Sequence, residues 1–98
     1  MPPVSAVRVV LAGEIDLATA ADTDAALRNG VAEAKAAGSG MVVDLAAVTF
    51  LDSTGLACLA RASTELARCG GVVRVEGASA MVARLLELAG LQHLVEPD

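Results

Sequence analysis

Apolar positions along the chain switch between strand-like and helix-like spacing three times over. Val7-Arg8-Val9-Val10-Leu11-Ala12-Gly13 is β-branched and partly alternating, and it is closed by Gly13 and the acids Glu14 and Asp16, which predicts a strand over residues 7–13. Thr19 is a suitable N-cap, with Asp22 three residues on to favour the positive end of the helix dipole. Ala20, Thr23, Leu27, Val31 and Ala34 then recur at spacings of three and four, an amphipathic helix stopped at Gly38 and slightly weakened by Gly30. Met41-Val42-Val43-Asp44-Leu45 is a short apolar run without alternation, the pattern of a central strand covered on both faces. Val48, Phe50 and Leu51 fit no period and are assigned to a loop that leads into Asp52-Ser53-Thr54-Gly55. Leu56, Leu59, Ser63 and Leu66 return at helical spacing up to the stop at Gly70-Gly71. Residues 72–76 read as a third strand. Ser79 caps a helix whose buried stripe is Val82, Leu85, Leu86 and Ala89, and Gly90-Leu91 suits a Schellman ending. The tail from Leu94 has no room for another full element.

The order β-α-β-α-β-α predicts an α/β fold: a mostly parallel sheet joined by right-handed crossovers, with helices packed on it. The length of 98 residues suits one domain spanning 1–98. Apolar residues make up 55% of the chain but Phe50 is the only aromatic, so the core must be built from Ala, Val and Leu in tight layers. A net charge of −5, with seven Lys and Arg residues spread along the chain, gives no basic stripe for a phosphate backbone and argues against nucleic-acid binding. No apolar run approaches the roughly 20 residues that span a bilayer. Met1-Pro2-Pro3 has neither a basic nor an apolar leader region, so a cytoplasmic, soluble protein without membrane insertion is expected. Cys58 and Cys69 on one continuous helix would stand about 16 Å apart, beyond the roughly 7 Å that a disulfide tolerates. Small buried or half-buried thiols are expected instead.

Chemistry concentrates at Leu51-Asp52-Ser53-Thr54-Gly55-Leu56, where polar residues crowd the start of an otherwise apolar helix. Open α/β sheets bind their ligands beyond the carboxyl ends of the strands, which is where this turn falls. A helix N-terminus offers unpaired N–H groups and a positive dipole end, an environment that stabilises a phosphate. Gly55 leaves room for close approach by a partner's backbone or a nucleotide's terminal phosphate. One of Asp52, Ser53 and Thr54 is enough to cap the helix, and none is followed three residues later by the Glu or Gln of a capping box. The site therefore has cap-capable residues to spare. Arg61, Glu65 and Arg68, at helical spacing, read as a solvated face with one ion pair along the helix.

Taken in order, Gly13-Glu14-Ile15-Asp16, Val42-Val43-Asp44-Leu45, Phe50-Leu51-Asp52-Ser53-Thr54-Gly55-Leu56, Gly70-Gly71 and Leu85-Leu86-Glu87-Leu88-Ala89-Gly90-Leu91 resemble the successive signatures of the STAS domain, and more narrowly of bacterial anti-sigma factor antagonists. The likeness runs from about Arg8 to Leu94. It implies a STAS-like fold and a partner-switching phosphoprotein that controls sigma-factor-dependent transcription. In that family the serine directly after the aspartate, here Ser53, is phosphorylated by the anti-sigma factor, itself an ATP-dependent serine kinase. The unphosphorylated antagonist binds the kinase and frees the sigma factor; the phosphorylated form lets go and is recycled by a PP2C-type phosphatase. By the same resemblance Asp16, Asp52, Ser53, Thr54, Gly55 and Leu56 form the partner-binding patch, with Asp16 near the serine. Many members also carry an edge strand before the one at Val7 and a further C-terminal helix; both are expected to be short or absent here.

Two other classes of function compete with this reading. A STAS subunit of a membrane transport complex, docking on its ATPase, would share the fold without needing phosphorylation. An enzyme is disfavoured: a nucleophilic Ser53 needs a base within reach, His93 is the lone histidine and lies in the tail, and no G-x-x-x-x-G-K-S/T loop is present. No cofactor is implied, and a metal pair formed by Asp16 and Asp52 lacks any histidine beside it.

Overall fold

The computed structural model describes residues 6–95. The elements are β1 (Val7–Ile15), α1 (Ala20–Ala37), β2 (Met41–Leu51), α2 (Ser53–Ala67), β3 (Val73–Glu76) and α3 (Ala80–Leu88), followed by a short 3-10 turn at Gln92–Leu94. The three strands form one sheet in the order β1-β2-β3, with both pairings parallel. Each crossover steps the same way along the sheet, so right-handed connections place α1 and α2 on one face. The two helices meet there, with Lys35 Nζ 3.3 Å from Glu65 Oε2 and Arg61 Nη2 3.4 Å from Asp24 Oδ1. The ion pair expected along the second helix is thus replaced by pairs that cross to α1, because the two helices run close enough for long side chains to bridge them.

Val9 and Leu11 of β1, Met41, Val43 and Leu45 of β2, and Val73 and Val75 of β3 are buried in one core with Leu27, Val31 and Ala34 of α1 and Leu59, Ala62 and Leu66 of α2. Val82 and Leu86 of α3 join the same core. Aliphatic side chains fill it, and Phe50 stays 42% exposed. Gly30 is explained by this packing: a Cβ there would lie 2.5 Å from Val9 Cγ2 and 2.7 Å from Met41 Sδ. Its cost in helix propensity is accepted for close approach of α1 to the sheet.

β2 is central, as the sequence predicts, but it is not covered on both faces. Val42 and Asp44 are only half-buried, and the outer face carries Arg8, whose Nη2 lies 3.0 Å from Asp44 Oδ2 and 3.1 Å from Glu76 Oε1. The predicted loop at Val48–Leu51 is also strand. The register skips between Val10/Ala12 and again between Gly13/Glu14, each time admitting an extra residue on β2. Leu45, Val48 and Leu51 are therefore all buried at a spacing of three, where a regular strand would give two.

Helix ends follow their local chemistry. Gly38, with φ 65°, closes α1 while Ser39 N donates to Ala34 O at 2.9 Å. At Gly90, with φ 79°, Leu91 N donates to Leu86 O at 2.8 Å, the expected Schellman ending. Ser79 Oγ accepts from Val82 N at 3.2 Å. α2 ends before Cys69, and Cys58 is a buried and Cys69 an exposed free thiol. The expectations for the leader, the extra edge strand and the further C-terminal helix fall on residues 1–5 and 96–98, outside the described residues. No helix among the described residues is long and apolar enough to cross a membrane.

Candidate functional site at the carboxyl edge of the sheet

β1 and β2 end side by side, Ile15 opposite Leu51, so Asp16 and Asp52 leave adjacent strands together. Asp52 N donates to Ile15 O at 3.0 Å and continues the ladder by one bond. Its extended backbone, φ −98° and ψ −173°, then turns into α2 as the N-cap. Oδ1 of Asp52 accepts from Thr54 N at 2.8 Å and from Gly55 N at 3.2 Å, and Leu56 N closes the first helical bond to Asp52 O at 3.0 Å. Asp52 alone supplies the side-chain cap of the helix start, and Ser53 stands exposed at its first position. Thr54 and Leu56 are half-buried beside it.

Two expectations change here. An N-terminus open to a phosphate is only partly present, since Asp52 already occupies two of the free N–H groups and sets a carboxylate beside Ser53. Gly55 is buried, and its missing Cβ makes room inward: a methyl there would clash with Leu51 Cδ1 and lie 2.7 Å from Ile15 Cγ2. Its space belongs to the seam between the strand ends and α2 and not to an incoming backbone.

The β1–α1 turn is fastened from both sides. Asp16 Oδ1 accepts from Ala18 N at 3.0 Å and Thr19 N at 3.2 Å, while Asp16 N donates to Thr19 Oγ1 at 3.0 Å. Thr19 Oγ1 in turn donates to Glu14 O at 3.1 Å. Thr19 occupies the N-cap position of α1, as predicted, but its hydroxyl locks this turn and makes no cap bond to the helix. Between these clamps Leu17 stands 79% exposed. Sequence reasoning passed over Leu17; its only signal is an apolar residue between strand and helix that fits neither period.

Acidic residues are the charged ones nearest this edge along the chain. Glu14, Asp16, Asp22 and Asp52 lie in stretches, residues 9–27 and 45–60, that contain no Lys or Arg. Among the described residues no three His, Cys, Asp or Glu groups are placed to hold a metal ion. What the geometry offers is an exposed hydroxyl on a rigid, acidic ledge, a group suited to being modified or bound by another molecule.

This fold, with its aspartate-capped serine at the head of the second helix, belongs to a defined class. The STAS domain family model matches residues 4–97, and the chain belongs to that family. Among solved structures it is similar to a candidate anti-sigma factor antagonist from Thermotoga maritima, at 17% identity and a TM-score of 0.75 over 96% of this chain and 80% of that one. It is also similar to the unphosphorylated form of the anti-sigma factor antagonist SpoIIAA, at 20% identity and a TM-score of 0.61 over 89% of this chain and 79% of that one. At these identities the likeness shows the fold. Comparison with curated proteins finds no significant match.

Proposed function

We propose that the chain is a single STAS domain acting as an anti-sigma factor antagonist: unphosphorylated, it binds an anti-sigma factor serine kinase and frees a sigma factor. Phosphorylation at Ser53 ends that binding. The observation that carries this reading is the division of labour at the helix start, where Asp52 does the capping and Ser53 stands exposed beside it. Asp16, Asp52, Thr54 and Leu56 complete the contact surface around it, and Gly55 shapes it from beneath. The chain supplies no catalysis and no cofactor. The kinase binds the ATP, Ser53 Oγ forms the new bond to the γ-phosphorus, the bond from that phosphorus to the β–γ bridging oxygen breaks, and the hydroxyl proton passes to a base of the kinase. The product serine then carries about −1.5 to −2 charges opposite the ADP left in the partner, and like charges meet across a closed interface. A PP2C-type phosphatase restores the hydroxyl.

Incubation with an anti-sigma serine kinase and Mg-ATP, read by intact mass, should add one phosphate to the wild type and none to Ser53→Ala. Ser53→Asp should bind the kinase more weakly than wild type. Normal phosphorylation of Ser53→Ala, or unchanged binding by Ser53→Asp, rules the mechanism out.

A further inference from the structure

We infer that Leu17 is the apolar anchor by which this domain docks on its kinase, received by an apolar pocket rimmed with Lys or Arg side chains; the inference rests on the antagonist reading above. At 79% exposed, Leu17 is the most exposed of the large hydrophobic residues among those described. It is not a loose tip. The hydrogen bonds from Ala18 N and Thr19 N to Asp16 Oδ1, and from Asp16 N to Thr19 Oγ1, hold the backbone on both sides of it. Burying its side chain in a partner thus orders little more than the side chain itself, which is the condition under which apolar burial converts most fully into affinity. A rigidly held leucine adjoining the residue pair Asp16 and Asp52 places that anchor at the strand ends from which Ser53 leaves.

The charge around it selects the partner's rim. Glu14, Asp16, Asp22 and Asp52 flank Leu17 and Ser53 in chain stretches without a single Lys or Arg. An apolar socket with an acidic border would meet repulsion on every side, whereas a basic border gains attraction and steers the encounter. The nucleotide in the partner supplies the negative charge that meets the new phosphoserine, so a basic rim and release after phosphorylation are compatible.

The probe is the anti-sigma kinase that phosphorylates Ser53 in the incubation above, and the readouts are KM and kcat for that phosphorylation at two salt concentrations. Leu17→Ala should raise KM about 10–50-fold with kcat at saturation unchanged, and raising salt should increase the KM of wild type and variant in parallel. Leu88→Ala, removing the next most exposed leucine, at the far end of α3, should leave KM unchanged. Matching thermal midpoints for both variants exclude a folding effect. An unchanged KM for Leu17→Ala, an equal rise for Leu88→Ala, or a KM indifferent to salt overturns this inference while leaving the antagonist reading intact. Failure of every kinase to phosphorylate the wild type overturns the antagonist reading and this inference with it.

Discussion

Gly55 carries two opposed consequences of having no side chain. Alanine would be the better helix former by about 1 kcal/mol. A methyl, however, would collide with Leu51 Cδ1 and come within 2.7 Å of Ile15 Cγ2, both on strand ends tied together by the ladder. Overpacking of this kind costs typically about 1–3 kcal/mol; the end of Leu51 can turn aside, but Ile15 Cγ2 sits on a β-branched side chain with little freedom to rotate. Gly55→Ala is therefore expected to lower the thermal midpoint by several degrees, measured by circular dichroism, even though it improves local propensity. At this scale the polar helix start at Asp52-Ser53-Thr54 was legible in the sequence because capping chemistry is local, while the choice of Asp52 as the cap was not. The inward role of Gly55 and the outward one of Leu17 were not, since each depends on what a distant strand or turn does to its surroundings.

The strands and helices were legible wherever one period ran unbroken, as in the stripe of Leu27, Val31 and Ala34 on α1. They failed at the second half of β2, where two register shifts turn a spacing of two into three after Leu45 and make Val48, Phe50 and Leu51 read as a loop. The outer face of the sheet was misread for a related reason. Val42 and Asp44 sit on it half-buried because Arg8 lies across them, held by Asp44 and Glu76 on the neighbouring strands. Asp44 Oδ1 also accepts from Ala46 N at 2.9 Å. That backbone bond first, and Arg8 second, hold the Asp44 carboxyl below its ordinary range, while Arg8 is raised chiefly by its bond to Asp44. For a carboxyl whose folded value lies below its unfolded one, the stabilisation is present above about pH 4 and is lost as pH falls through the folded value. Asp44→Asn should therefore be less stable than wild type in urea at pH 7, and the two midpoints should converge as the pH is brought below 4. Parallel curves at all pH values would show that the sheet face does not depend on this charge.

Across the whole molecule, one aliphatic core joins all six elements to the last described turn, and no aromatic ring is needed to fill it. Leu94, at the start of a tail with no room for another full element, is 2% exposed and completes that core from the 3-10 turn. Leu94→Ala should cost about 2–5 kcal/mol, a large share of the stability of so small a domain, detected as a shifted urea midpoint with an unchanged slope. The sequence order sufficed for the parallel arrangement because crossover handedness leaves few alternatives; the contribution of the last turn escaped because a short segment has no period. The seam at Ile15, Leu51, Asp52 and Gly55 has one more consequence for the proposed switch. Strand ladder, helix cap and packed glycine fix the ledge on which Ser53 sits, so the described residues at this edge offer a partner a preformed surface. In the proposed switch, phosphorylation would then change the charge of this edge more than its shape. Association with the proposed kinase should then proceed in a single kinetic phase, and the pace of the proposed cycle would fall to the enzymes that write and erase the phosphate.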